Sequence, residues 1–198
     1  MNLNGSFYKY WSFISDIIIL NLLWLAVTLI GAGITFGAAT SACYAVMSKI
    51  VNKKNYSVFK DFFSEFKRNF KQATIVWLIL GSLGALSAYN YSLAVNTGSF
   101  LVTVIFYASV FQLIIISLYV FMVIAAFEGS ITTYIINSLI IANRHIPSTI
   151  LIISSLIGTI FLTFYVSSFL NLIVWGIFFL SSSYWAKGIL EGYKKSIA

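Results

Sequence analysis

The stretch KIVNKKNYSVFKDFFSEFKRNFK, residues 49–71, holds seven of the twelve lysines and arginines in a chain of 198 residues. The other five are Lys9, Arg144, Lys187, Lys194 and Lys195, and all twelve lie at the ends of long charge-poor apolar segments. When those segments are threaded through a bilayer, every basic stretch falls on one side. The opposite connections, around Gly31 to Phe36, Val95 to Ser99 and Ser167 to Asn171, carry no charge. Positive loops remain on the cytoplasmic side, so the pattern predicts an all-α polytopic membrane helix bundle with both termini inside.

Composition points the same way. The chain is 60% hydrophobic and only 9% charged, with a mean hydropathy of +0.95. A water-facing surface needs about 25% charged residues, so the solvent this chain requires is lipid. The formal charge of +7 follows the membrane boundaries and forms no stripe interleaved with stacking aromatics, which argues for anionic lipid and against nucleic acid. A single cysteine, Cys43, excludes an internal disulfide and a cysteine-based metal site.

Working outward from residues 49–71, six crossings are expected, at about 13–30, 36–51, 73–91, 100–127, 147–165 and 171–186, within one domain spanning 1–198. The second is short and the least secure as a full span. Because Asp16 and Asn21 interrupt the first apolar segment, it reads as a retained helix and not as a cleaved leader. Small residues four apart in the third, Gly81 with Ala85 and Gly84 with Ala88, predict a packing face there. A proline at 147 suits the first turn of the fifth crossing, where its missing N–H has no partner to lose.

Within the basic stretch, Phe59, Phe62, Phe63, Phe66 and Phe70 recur at helical spacing and fall on an arc of about 100°. Residues 57–71 are therefore expected to form an amphipathic interfacial helix, separate from the third crossing, with its phenylalanines in the acyl boundary or beneath the bundle. A second cytoplasmic pre-helix is expected at about 129–146, ahead of the fifth crossing.

Signatures of chemistry are sparse. His145 is the single histidine, and the chain has no Gly-rich phosphate loop, no paired metal-ligating histidines and no nucleophile motif. No catalytic residue, metal site or cofactor is expected. Intramembrane polar groups are the default place to seek function, which singles out Asp16, Asn21, Gln112 and Glu128. The simplest expectation pairs Asp16 and Glu128 with nearby lysines or Arg144, and has Asn21 and Gln112 bridge helices. Lys60, Lys67, Arg68 and Lys71 form the candidate surface for lipid headgroups or a partner.

Taken together, DIIILNLLW at 16–24, GITFGAA at 33–39 running to Tyr44, DFF at 61–63, FKRNFKQA at 66–73, FEGS at 127–130 and RHIP at 144–147 resemble the YesL family of small bacterial integral membrane proteins. The family commonly has a proline near the end of the first helix, where this chain has Leu29-Ile30-Gly31. The resemblance implies a protein of unknown function in the plasma membrane, encoded beside carbohydrate ABC-transporter components and sensor kinases in Gram-positive bacteria. It carries over no catalytic residue. On that basis the expected function is a non-enzymatic accessory or regulatory membrane protein, with a sugar importer or a sensor kinase as partner. The alternative is a small carrier or channel in which Asn21 and Gln112 line a polar route.

Overall fold

The computed structural model describes residues 3–165 and 171–197. The expected outer connection at Ser167 to Asn171 lies almost wholly outside the described residues. Seven helices follow in order: α1 (Leu3–Ile30), α2 (Phe36–Val51), α3 (Val58–Thr97), α4 (Phe100–Ala126), α5 (Ile131–Arg144), α6 (Ile146–Tyr165) and α7 (Asn171–Ile197). The fold is an all-α polytopic bundle. Among the described residues five helical segments are long and apolar enough to cross a membrane, within α1, α3, α4, α6 and α7, while α2 is apolar but shorter. At sixteen residues it spans about 24 Å, against a hydrocarbon core of about 30 Å.

Local chemistry sets the helix ends. The chain turns after α1 with Ala32 and Gly33 both at positive φ, 47° and 79°, and Thr35 Oγ1 donates to the Val27 carbonyl at 2.8 Å. Asp61 accepts from the Ser57 backbone N–H at 3.0 Å and so braces the first turn of α3. Gly98, in the left-handed region, ends that helix. Ser130 caps α5 by accepting from the Thr133 N–H at 3.2 Å, and Pro147 stands in the first turn of α6.

A short apolar helix occupies the centre. α2 touches α1, α3, α4 and α7, and twelve of its sixteen residues are buried. Its small side chains make this possible: a Cβ added at Gly37 would collide with the Ala73 carbonyl oxygen of α3 and lie 2.8 Å from Trp77 Cβ. A similar close approach joins α7 to α1, where a Cβ at Gly176 would lie 2.8 Å from Ile17 Cγ2. Around the outer end of α2, Trp24, Phe36, Trp77, Trp175 and Phe179 form a connected set of ring contacts.

Two expectations are corrected here. The separate interfacial helix at 57–71 does not exist as a unit, because α3 runs unbroken for 40 residues, about 60 Å. Val58, Phe62, Glu65, Asn69, Ala73, Val76 and Leu80 are all buried, and their spacing of three and four keeps one face on α2 straight through the expected break. The packing face expected from Gly81 and Gly84 meets no neighbour among the described residues either, since a Cβ at each would have nothing within 4 Å. Helix ends also extend past the expected limits, with α1 beginning at Leu3 and α7 continuing to Ile197.

Candidate functional site

The first half of α3 is the most polar helical surface that the described residues offer, and its placement follows from α2. Lys49, in the last turn of α2, pairs with Asp61 at 3.2 Å and lies 3.8 Å from Glu65. Arg68 pairs with the other oxygen of Glu65 at 2.6 Å. One turn further along, Asn69 donates to Ser41 of α2 at 3.2 Å. The buried stripe is therefore partly polar, and it lies roughly 75° around the helix from the centre of the phenylalanine arc.

That rotation divides the phenylalanines. Phe62 is fully buried and Phe66 partly so, whereas Phe59, Phe63 and Phe70 are 56%, 48% and 41% exposed. Lys60, Lys67 and Lys71 are exposed, one helical stripe away from those three rings, and none makes an ion pair among the described residues. Arg68 belongs elsewhere: its guanidinium is held by Glu65. The candidate surface is thus three lysines beside three phenylalanines, while the fourth cation, Arg68, is exposed but paired with Glu65.

The intramembrane polar residues do not converge. Asp16 accepts from the Tyr56 hydroxyl at 2.6 Å, so its partner is a tyrosine and not the expected lysine or arginine. Partial burial first, and then the contact with Asp16, push the Tyr56 phenol up to about 12, which keeps it protonated as the donor. Asn21 is fully buried on the face of α1 that meets Gly176. Gln112 is half-buried, and its Nε2 has no hydrogen-bond partner among the described residues. Glu128 is exposed and also forms no ion pair among them, correcting the expected pairing. Neither Asn21 nor Gln112 lines any of the three cavities described below.

Two cavities meet at a residue that spacing did not single out. A cytoplasmic pocket of about 290 Å³ is lined by Lys49, Glu65, Arg68, Glu128 and Lys187 among others, and an aromatic chamber of about 610 Å³ by Trp24, Trp77, Phe106 and Trp175 among others. Tyr44 lines both. Its ring packs edge-on against Phe179 at 5.1 Å, and its hydroxyl accepts from Ser182 at 3.3 Å. Two of its indoles are satisfied within the protein: Trp24 donates to Thr40 and Trp77 to the Gly33 carbonyl, each at 3.0 Å. Beside the pocket, Gln72, Gly129 and Tyr134 close a ring of hydrogen bonds: Tyr134 donates to Gln72 at 2.9 Å and accepts from the Gly129 N–H at 2.9 Å, while Gln72 donates to the Gly129 carbonyl at 3.2 Å. This ring fixes α5 to α3. Nothing in the spacing of polar residues distinguishes Tyr44, Gln72 or Tyr134, because each depends on a neighbour distant in sequence.

Fold and surface together define a polytopic α-helical membrane protein built on a short buried helix. Residues 17–91, which are α1 from Ile17, all of α2 and α3 to Tyr91, match a family described as "Protein of unknown function, DUF624". The chain is also 29% identical over 150 residues to an uncharacterized protein, YteU, of Bacillus subtilis (strain 168), covering 73% of this chain and 67% of that one. The two likenesses support a DUF624-type family of unknown function. No solved structure matches the chain.

Proposed function

We propose that the protein is a non-enzymatic accessory or regulatory subunit of the bacterial plasma membrane. In this reading the exposed lysine and phenylalanine face of α3 docks a membrane partner, a carbohydrate ABC importer or its sensor kinase. The observation that carries it is the surface left over once α3 has packed on α2. Phe59, Phe63 and Phe70 remain exposed beside Lys60, Lys67 and Lys71, on a helix that the Lys49–Asp61 and Arg68–Glu65 pairs hold in register. A rigid apolar stripe edged by free cations suits an acidic, partly apolar partner, with the lysines steering the encounter.

The test is affinity purification from native membrane of the wild type and of the Lys60→Glu, Lys67→Glu, Lys71→Glu variant. Arg68 is left intact because reversing it would disturb buried Glu65. A co-purifying importer or kinase subunit that is lost from the variant at normal abundance supports docking. Retention of every subunit by the variant removes this face from the proposal.

A second reading, a carrier or channel, is favoured by the meeting of pocket and chamber at Tyr44. It would take its route past Tyr44 and Ser182 and not along Asn21 and Gln112. Reconstituted into liposomes, a Tyr44→Ala variant that leaks small solutes where the wild type does not would favour this reading over docking.

A further inference from the structure

A third hollow, an open groove of about 900 Å³, runs between α1, the end of α2 and α7 at the level of the basic residues. Its walls are apolar, with Phe13, Ile50, Ile177 and Leu180 among them, and Tyr184 and Trp185 stand at it with 63% and 40% of their surface exposed. Aromatic side chains of this kind mark the headgroup level of a bilayer. Lys53 and Lys54 also line the groove. Both are exposed and neither is in an ion pair among the described residues. No acidic residue is among the described residues lining it, although Lys54 also lines the neighbouring pocket with Glu65, Glu128 and Glu191, so the groove joins an apolar floor to two positive charges that no ion pair holds among the described residues.

The backbone at this place adds a second observation. Lys53 sits at φ 52°, just past the end of α2, where the Lys54 N–H bonds back to the Lys49 carbonyl at 3.0 Å. Helix ends of this shape favour glycine, whose missing Cβ removes the strain. A cation to complement the α2 dipole is already present in Lys49, within the last turn. The left-handed residue at this helix end is thus a lysine where glycine would be relaxed, and it places a cation at the mouth of the apolar groove.

We infer that this groove holds one anionic phospholipid of the inner leaflet, its phosphate between Lys53 and Lys54 and an acyl chain along Phe13, Ile177 and Leu180. The apolar lining suits an acyl chain and the position of the lysines suits the phosphate. A zwitterionic lipid would use the floor equally well but gain less from the two charges.

Native mass spectrometry of the full-length protein in detergent, titrated separately with dioleoylphosphatidylglycerol and dioleoylphosphatidylcholine, tests this assignment. The wild type is expected to retain phosphatidylglycerol preferentially. In the Lys53→Gly, Lys54→Gln variant that retention should fall about fivefold for each lysine removed, with phosphatidylcholine unchanged. Because glycine relieves the φ at position 53, thermal stability of this variant without lipid should hold or rise, which separates lost binding from lost folding. Lys53→Arg with Lys54→Arg should keep the preference, and Ile177→Trp, which fills the groove and spares both lysines, should lower it. Unchanged retention in either the Gly/Gln or the Trp variant would overturn the site. An equal loss in a Lys60→Gln, Lys71→Gln control would overturn it too, by showing that the attraction is spread over the whole basic surface.

Discussion

The two halves of α3 share one helix and differ in almost everything else. From Val58 to Leu80 an unbroken stripe is buried against α2. From Gly81 to Asn96 only Ser87 and Ala94 are buried. The inner half is the more charged and the more deeply packed, while the outer half is the more uniformly apolar and faces outward. In water that combination would be inverted. In lipid, apolar surface gains little from leaving its surroundings, so burial goes to places where small residues permit close approach and where polar groups need partners. Gly37 on α2 provides the first, and Glu65 and Asn69 on α3 the second.

The sharpest way to break this comparison is topological. Trp77 donates to the Gly33 carbonyl in the α1–α2 turn, and α3 continues for twenty more residues to Thr97, about 30 Å. The α1–α2 turn should therefore sit well below the outer end of the α3–α4 hairpin. In intact cells a membrane-impermeant thiol reagent should label Asn96→Cys but not Ile34→Cys. Equal labelling would place the two turns at one level and refute the staggered arrangement. Either result leaves the orientation expected from the lysines untouched.

Within the inner half, neighbouring phenylalanines should behave oppositely. Phe62→Ala empties a fully buried site and should cost about 3 kcal/mol, whereas Phe63→Ala, at a half-exposed ring, should change stability by less than about 0.5 kcal/mol. Similar losses in detergent unfolding would mean that the phenylalanine arc itself is the packed face. Gly37→Ala forces a methyl against the Ala73 carbonyl and should cost about 2 kcal/mol; a neutral result would show that α2 and α3 lie further apart than described. Tyr56→Phe leaves Asp16 without its hydroxyl donor, for an expected loss of about 1 kcal/mol. That loss should vanish when Asp16→Asn is already present, and its persistence would assign Tyr56 some other role.

The smallest effect belongs to the outer half. Gly81→Ala and Gly84→Ala meet open space and should each be neutral or stabilise the helix by about 0.5 kcal/mol or more through propensity alone. If either proves as damaging as Gly37→Ala, the outer half of α3 contacts another molecule, which would give the small-residue pairs the packing role that their spacing suggests.

Legibility followed from how far apart the deciding residues are. The start of α2 at Phe36, the Gly31-Ala32-Gly33 turn and the N-terminus of α6 at Pro147 depend on a few adjacent residues and can be read locally. The continuity of α3 through Lys71 could not be read that way. The phenylalanines announce one face, but a partly polar stripe containing Glu65 and Asn69 is the face that α2 takes. Among the candidate residues, Lys60, Lys67 and Lys71 lie on the surface as their charge demands, while Arg68 was separable from them only once Glu65 was known to be buried beside it. Asp16 found Tyr56, forty residues away, and periodicity has no means of reporting that pair.

By itself, then, the sequence determined the need for an apolar solvent and the helical class, since each follows from transferring side chains between water and hydrocarbon, residue by residue. The tertiary structure alone decided that the shortest apolar helix is the hub, that α3 is one helix and not two, and that Tyr44 stands between pocket and chamber. Those outcomes depend on shape fit and on pairs of polar groups far apart in the chain, and lipid, which is indifferent to which apolar surface it covers, leaves fit and pairing to choose among the arrangements that hydrophobicity permits.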